Sequence, residues 1–201
     1  MTKNTLFWYE QHGRRFYEAT HHLTPFFLEP LLDHLLPGCR VLDVGCGSGR
    51  DLLWFRQKGF AATGFELSST LARLAREKSG CPVVEGDFTL YDFATLATDA
   101  IVLSGSLVHL PHPALSTVLK RILVSLKPST DAKGIVYLSL KTGSGIHTDP
   151  AGRTFYLWEK KHLHACMIAL GLTVLEEHES DSADGEGKRW IGYVLAAGSA
   201  A

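Results

Sequence analysis

The most constraining feature of this chain is a glycine-rich stretch, Arg40 to Asp51, which reads RVLDVGCGSGRD. Its first half, residues 41–44, is a short apolar run of the kind that forms a buried parallel strand. Three glycines at alternate positions then let the backbone turn with positive φ and let a ligand approach it closely. A polar-apolar segment with helical spacing follows. The stretch therefore predicts a strand, a loop and a helix that together bind a nucleotide.

The spacing of the glycines separates two classes of nucleotide site. A dinucleotide fold needs G-x-G-x-x-G. This loop reads G-x-G-x-G, with Gly45, Gly47 and Gly49, and it has Arg50 where the dinucleotide pattern needs glycine or alanine. The stretch V-L-D-V-G-C-G-S-G resembles the first motif of class I S-adenosylmethionine (SAM)-dependent methyltransferases. That resemblance assigns Asp43 and the three glycines to the SAM site.

The bulk composition narrows the remaining possibilities. The 201 residues are 45% hydrophobic and 20% charged, which predicts one domain with a sizeable core. The formal net charge of −1 gives no sign of a nucleic-acid or membrane surface, so we expect neither partner. The four cysteines are scattered without a C-x-x-C pair, so we expect reduced thiols and no metal site.

Two further expectations concern the location and assembly of the protein. No apolar run approaches the length of a membrane span, and the first residues lack the apolar core of a signal peptide. We therefore expect a cytoplasmic protein. The sequence leaves monomer and homodimer open.

The residues before the first strand, 1–38, are predicted to form a helical cap on a Rossmann-like core of residues 39–196. Aromatic and histidine side chains recur at roughly helical spacing in the first part, and a second helix is predicted over residues 26–36. The resemblance implies a first helix that lies over the cofactor, with Tyr9 at the cofactor and Tyr17 at the substrate. The alternative is two helices that only pack on the sheet.

The second strand is predicted over Ala61 to Phe65, and it ends at Glu66. An acid at this position can accept hydrogen bonds from two ribose hydroxyls, because both carboxylate oxygens are acceptors. The resemblance also places Leu67 at the cofactor. The alternative is a surface glutamate that caps the next helix, where Ser68 or Ser69 is the expected N-cap.

The segment after the third strand, Gly86-Asp87-Phe88, has a role that the resemblance alone implies. In methyltransferases a similar segment holds adenine: the acid accepts from the exocyclic amine and the next residue lines the base pocket. Asp87 and Phe88 are therefore expected at the adenine.

The loop after the fourth strand reads SGSLVHLPHP and is expected to meet the reacting end of the cofactor. Ser104 should approach the methionine end of SAM. His109 lies five residues further on and could act as a general base, with a pKa near 6.5 before any shift by its environment. The alternative is a loop histidine that packs against Pro111. His112 is expected at the surface.

The segment after the fifth strand, KTGSGIHTDPAGRTFYLW, is polar and rich in glycine, and loops at this edge of such sheets carry function. Arg153 could hold a carboxylate or phosphate of the substrate, or the carboxylate of the cofactor, and Tyr156 could line an acceptor pocket. The alternative is a surface loop whose aromatic side chains pack on the last helix.

The resemblance covers residues 40–195 and implies an α/β fold with a seven-stranded, mostly parallel sheet of order 3-2-1-4-5-7-6, strand 7 antiparallel. The chain resembles small bacterial methyltransferases of the ubiquinone/menaquinone and tellurite/thiol groups. We therefore expect a SAM-dependent methyltransferase with a small-molecule acceptor, and S-adenosylhomocysteine as its product. The acceptor atom, O, N or S, stays open. Alternatives are a non-catalytic SAM-binding or regulatory protein, and an RNA or protein methyltransferase.

Overall fold

The computed structural model describes residues 3–129, 133–181 and 189–198. The helices are α1 (Lys3–Thr20), α2 (Glu29–Leu32), α3 (Arg50–Gln57), α4 (Ser69–Ser79), α5 (His112–Leu123) and α6 (Lys160–Ala169). The strands are β1 (Arg40–Val44), β2 (Ala61–Glu66), β3 (Val83–Glu85), β4 (Ala100–Ser104), β5 (Ile135–Lys141), β6 (Ile146–Thr148), β7 (Thr154–Tyr156), β8 (Leu172–Asp181) and β9 (Arg189–Ala197).

Seven of the strands form one sheet in the order β3-β2-β1-β4-β5-β9-β8. The five strands from β3 through β2, β1 and β4 to β5 run parallel to one another. Strand β9 runs antiparallel to both β5 and β8. The short pair β6-β7 stands apart from this sheet. When only strands of the main sheet are counted, this is the predicted order 3-2-1-4-5-7-6, which confirms the predicted fold class.

The strand β1 explains why the sheet is covered on both faces. Leu42 and Val44 belong to one buried apolar cluster, whereas Val41 belongs to the other. Successive side chains of a strand point to opposite faces, so an apolar run without alternation needs a core on each side. After β3 the chain crosses to the other half of the sheet, so the strand order reverses at the boundary between β1 and β4. Their carboxyl ends therefore border the crevice where open α/β sheets bind ligands.

The prediction of a second helix over residues 26–36 is wrong in its extent. The structure has a 3₁₀ turn at Phe26–Leu28 and then the single helical turn α2. The cause is Pro30, whose ring would clash with the carbonyl group four residues earlier in a continuous helix. Helix α1, in contrast, continues through Gly13, whose missing side chain lets the helix lie against Thr70 of α4.

The segment after β5 is more ordered than the sequence suggests. Strands β6 and β7 pair as an antiparallel hairpin, and Phe155 and Trp158 are buried in the main apolar cluster. His112, expected at the surface, is half-buried and donates from Nε2 to the carbonyl oxygen of Leu157 at 2.8 Å. Each strand of this hairpin is only three residues long, which is too short to give a clear pattern in the sequence.

Residues 130–132, after α5, and residues 182–188, between β8 and β9, lie outside the described residues. Across the described parts of the chain, no helix is both long enough and apolar enough to span a membrane.

Candidate active site

A cavity opens at the carboxyl ends of β1, β2 and β4, beneath helix α1. It has a volume of about 120 Å³. Its lining residues are Leu6, Tyr9, Phe16, Gly45, Gly47, Phe65, Glu66, Leu67, Ser68, Leu71, Phe88, Ser104, Gly105, Ser106 and His109. The cavity therefore brings together the glycine loop, the end of β2, the loop after β4 and the first helix.

The glycine loop turns tightly because its three glycines all have positive φ: 79° at Gly45, 52° at Gly47 and 74° at Gly49. The space beside each glycine is also filled. A Cβ on Gly47 would lie 3.1 Å from the ring of Phe16, and one on Gly49 would lie 2.7 Å from the Cα of Ala75. Both the backbone conformation and the close packing therefore require glycine here.

The carboxylate of Glu66 is fixed by three backbone N–H groups. Its Oε2 accepts from Gly47 at 2.9 Å, and its Oε1 accepts from Leu67 and Ser68, each at 2.9 Å. Burial raises the pKa of Glu66, and the three hydrogen bonds oppose that rise. Because a carboxylate has about four acceptor positions, roughly one position remains for a ligand. Glu66 thus joins β2 to the glycine loop and still faces the cavity.

A group of buried charges lies behind the glycine loop. Arg50 pairs with Asp51, with Nε 2.5 Å from Oδ1, and its guanidinium lies 5.1 Å from the ring centroid of Phe27. Asp43 is buried, and its Oδ2 has no hydrogen-bond partner among the described residues. Burial, followed by the charge of Asp51, raises the pKa of Asp43 well above its ordinary value. A raised pKa favours the uncharged form of Asp43, so the two remaining charges, Arg50 and Asp51, balance each other.

His109 is held in one tautomer by the hairpin. Its Nδ1 lies 2.6 Å from the carbonyl oxygen of Thr154, which can only accept, so Nδ1 carries the proton. The hydroxyl of Tyr9 then donates to Nε2 at 3.2 Å. Burial lowers the pKa of His109 to about 4, although the bond to Thr154 opposes this. At neutral pH the side chain is therefore an uncharged imidazole with its acceptor nitrogen turned towards the cavity.

The loop after β4 is fixed at Gly105, which has a φ of 64°. Its N–H donates to Oγ of Ser139 at 3.0 Å, and a Cβ at this position would lie 3.0 Å from the ring of Trp190. The loop therefore places Ser104 and Ser106 against the cavity with little freedom to move.

Comparison with known proteins relates the core of this chain to a known family. Residues 41–129, from β1 past the end of α5, match the family described as a methyltransferase domain. This part of the chain is therefore similar to a methyltransferase domain. The match begins at the strand before the glycine loop and includes Glu66, Ser104 and His109, so it covers the cavity residues that the core contributes.

The chain is also similar to curated relatives and to solved structures. A ubiquinone biosynthesis O-methyltransferase of Xanthomonas campestris pv. campestris is 30% identical over 139 residues, covering 66% of this chain and 55% of the relative. The chain thus spans about half the length of the curated relatives it matches.

Among solved structures, the 1,6-didemethyltoxoflavin-N1-methyltransferase of Burkholderia thailandensis has a TM-score of 0.77 at 22% identity, covering 96% of this chain and 86% of that one. That structure contains 1,6-didemethyltoxoflavin and S-adenosylhomocysteine. The [4+2]-cyclase SpnF has a TM-score of 0.69 at 17% identity, covering 90% and 85%. The fold is therefore shared with an enzyme named for a different reaction, so the fold alone does not determine the reaction.

The cavity of the methyltransferase domain contains eight of the residues predicted from the sequence. These are Tyr9, Gly45, Gly47, Glu66, Leu67, Phe88, Ser104 and His109. Ser68 is confirmed as the N-cap of α4, where its Oγ accepts from the N–H of Leu71. The cofactor and substrate roles themselves stay predictions.

Three residues predicted at the cofactor do not line the cavity. Asp43 lies behind the glycine loop, and Gly49 begins α3 and packs against Ala75. The Oδ1 of Asp87 accepts from the N–H and hydroxyl of Thr89, at 2.8 and 2.6 Å, so this carboxylate stabilises its own turn.

The other residues predicted at the substrate, Tyr17, Tyr156 and Arg153, do not line the cavity. The ring of Tyr17 stacks on His21 with centroids 4.5 Å apart, because it is rotated around α1 from the face that carries Tyr9. Tyr156 faces His112, since alternate residues of β7 point to opposite sides. Arg153 lies 4.2 Å from the ring centroid of Trp8 and pairs with Asp149.

Several cavity residues were not predicted from the sequence. Phe16 stands seven residues after Tyr9, so a strict helical count from Tyr9 would have found it. Phe65, Leu71 and Ser106 reach the cavity through contacts between separate elements, for which the sequence has no local signal.

Proposed function

We propose that the protein is a SAM-dependent methyltransferase that transfers a methyl group to a small-molecule acceptor. The observation that carries this proposal is a single cavity in which the glycine loop and Glu66 stand on one side and His109 with Tyr9 on the other. The first side has the groups that a nucleoside needs, and the second has a proton acceptor. The near-neutral net charge favours a small molecule over a nucleic acid as acceptor.

The chemistry of the site fits SAM. When bound, SAM supplies a methyl group made electrophilic by a positively charged sulfonium. The carboxylate of Glu66 faces the cavity with about one acceptor position left, which suits a ligand that donates a hydrogen bond. Gly45 and Gly47 line the cavity with their backbone, because Ser106 and Phe16 occupy the positions that their side chains would take.

We assign Glu66 to the ribose. Oε2 has one backbone donor where Oε1 has two, so Oε2 is free to accept one ribose hydroxyl directly. Acceptance of both hydroxyls, as first predicted, would require a bond to the backbone to lengthen. Leu67 and Phe88 lie beside it in the cavity and are assigned to the base.

We assign His109 to the proton of the acceptor. Its Nδ1–H bond to Thr154 leaves Nε2 as the acceptor nitrogen, and the Tyr9 hydroxyl now occupies it. An acceptor hydroxyl or N–H group that took the place of the Tyr9 hydroxyl would have its proton aimed at Nε2. A base with a pKa of about 4 is sufficient, because the acceptor becomes far more acidic as its bond to the methyl group forms.

The surroundings of His109 favour a planar acceptor. Phe155 lies with its ring centroid 4.7 Å from that of His109, and Trp8 and Arg153 stack nearby. Among the aromatic side chains near His109, Tyr9 lines the cavity itself, and such a ring suits a flat acceptor. The similar proteins named for ubiquinone biosynthesis and for 1,6-didemethyltoxoflavin are consistent with an acceptor of this class.

Transfer of radiolabelled methyl from SAM into a cell metabolite extract tests the proposal. Wild-type protein should label a small molecule, and Glu66→Ala and His109→Ala should each reduce the labelling. Protein that binds SAM but labels nothing, in metabolite, RNA or protein fractions, would instead identify a non-catalytic SAM-binding protein. Label in the RNA or protein fraction alone would contradict the small-molecule acceptor.

A further inference from the structure

Arg153 lies between the β6-β7 hairpin and helix α1. Its guanidinium is 4.2 Å from the ring centroid of Trp8, which is the distance of a cation–π contact. The same positive charge acts on the hydroxyl of Tyr9, the next residue of α1. Burial raises the pKa of Tyr9, and the charge of Arg153 opposes that rise. The side chain of Arg153 therefore meets two neighbouring aromatic residues of the helix that covers the cavity.

The guanidinium is held in this orientation from the hairpin. Asp149 Oδ2 accepts from Nε of Arg153 at 2.7 Å and lies 2.7 Å from its Nη2. Asp149 Oδ1 accepts from the backbone N–H of Arg153 at 2.9 Å. One carboxylate thus fixes both the backbone and the side chain of Arg153. The planar guanidinium is therefore already oriented for its contact with Trp8.

Helix α1 depends on such contacts, because its first half buries little apolar surface. Thr5 and Gly13 are its buried residues, whereas Phe7 is 64% exposed. Thr5 Oγ1 accepts from the N–H of Thr154 at 3.1 Å, directly beside Arg153. The first half of α1 is therefore attached to the hairpin by a hydrogen bond and a cation–π contact.

The cavity beneath α1 has to open before SAM can enter. Its volume is about 120 Å³, whereas pockets for ligands of this size measure roughly 300–1,000 Å³. Leu6, Tyr9 and Phe16 of α1 line the cavity, so the helix forms one of its walls and has to move. Arg153 and Trp8 do not line the cavity. A bound ligand therefore does not compete for their contact, which can form again when α1 returns.

We infer that Arg153 is a positioning residue that holds α1 closed over the cofactor through its contact with Trp8. This inference rests on the proposed function. The sequence suggested that Arg153 touches the substrate or the cofactor directly, whereas the inferred role lies outside the cavity. Arg153 then controls how long a ligand stays in the site.

The rate at which S-adenosylhomocysteine leaves the protein tests the inference. Arg153→Met keeps the unbranched stem but removes the charge, and it should speed release roughly 2- to 30-fold in a stopped-flow displacement experiment. Trp8→Leu removes the other partner and should do the same. Because both substitutions break one contact, the double variant should release the ligand no faster than the quicker single variant. Arg153→Lys keeps a cation for the ring and should release it more slowly than Arg153→Met.

Amide hydrogen exchange of the ligand-free protein gives a second measurement that needs no cofactor. Residues 5–12 of α1 should exchange faster in Arg153→Met and in Trp8→Leu than in the wild type. The control is Arg73→Met, which breaks an exposed ion pair with Glu77 on α4. It should change neither the release of S-adenosylhomocysteine nor the exchange of α1.

Two results would overturn the inference while leaving the proposed function intact: unchanged release from Arg153→Met, or rate increases that multiply in the double variant. Trp8→Leu leaves the hairpin unaltered, so it tests the same contact even if Arg153→Met does not fold. Failure of the wild-type protein to bind S-adenosylhomocysteine would instead overturn the proposed function. The exchange of α1 in the ligand-free variants would then still decide whether Arg153 holds the helix in place.

Discussion

At the scale of single residues, the cavity depends on positions where a side chain would collide with another part of the site. Gly45 lies against Ser106, and Gly47 lies against Phe16 of α1. The need for glycine at these positions could be predicted from the local pattern, because a strand that turns at once into a helix requires positive φ. The contacts of these glycines with Ser106 and Phe16 could not be predicted, because the two residues come from distant parts of the chain.

Gly45→Ala should therefore reduce both stability and SAM binding. The new Cβ adds strain from the φ of 79° and an overlap with Ser106. Gly59→Ala is the matched control, since Gly59 has a φ of 87° but nothing within 4 Å of the new Cβ. We expect Gly59→Ala to cost about 1–2 kcal/mol of unfolding free energy with unchanged affinity. Equal effects of the two substitutions, measured by urea unfolding and calorimetry, would contradict this account.

His109→Ala should lower turnover by roughly 10²- to 10⁴-fold while the Kd for SAM changes little. Its control is His112→Ala, because His112 also bonds a carbonyl group of the β7 segment but does not line the cavity. The pKa of about 4 also predicts that His109 imposes no change of rate between pH 6 and pH 8. Equal losses in both variants, once the true acceptor is known, would assign His109 a structural role instead.

At the scale of elements, local sequence patterns predicted the main strands well and the peripheral elements poorly. The strands β1, β2 and β4 pack on both faces of the sheet. Their sequences are therefore short runs with mostly apolar residues, which can be recognised without the structure. The predicted second helix was wrong because Pro30 interrupts it, and the β6-β7 hairpin was missed because its strands are only three residues long. The division into a cap of residues 1–38 and a core of residues 39–196 stays a prediction.

Helix α1 covers the cavity through a close approach at Gly13. A Cβ there would lie 3.2 Å from Thr70 Cγ2 and 3.4 Å from Leu71 Cγ, so a larger side chain must lift α1 from α4. Gly13→Val should therefore weaken S-adenosylhomocysteine by at least roughly tenfold, about 1.4 kcal/mol. Ala19→Val places the same β-branched side chain on the exposed face of α1 as a control. Unchanged affinity in Gly13→Val would mean that α1 does not contribute to the ligand site.

At the scale of the whole molecule, burial of His109 predicts how stability depends on pH. Arg153, Asp149 and Tyr9 lie close to the ring, but burial is the largest cause of the lowered pKa. A folded-state pKa of about 4, below the unfolded value near 6.5, means that the unfolded chain binds the proton more readily. Full stability is therefore present above pH 6.5 and declines as the pH falls towards 4.

The contribution of His109 to this decline should be roughly 3 kcal/mol between pH 7 and pH 4. Urea unfolding of the wild type and of His109→Gln across this range measures it. The variant lacks the titrating group, so its stability should fall by less over the same interval. Parallel pH curves for the two proteins would show that the imidazole is not held neutral by the fold.

The central claim is that the cavity under α1 binds SAM and not a dinucleotide, and calorimetry of the wild-type protein tests it most directly. S-adenosylhomocysteine should bind with a Kd in the micromolar range, which corresponds to about −7 to −8 kcal/mol. NAD should give no heat of binding, because the G-x-G-x-G loop has Arg50 where a pyrophosphate site needs glycine or alanine. Tight binding of NAD with no response to S-adenosylhomocysteine would contradict the account.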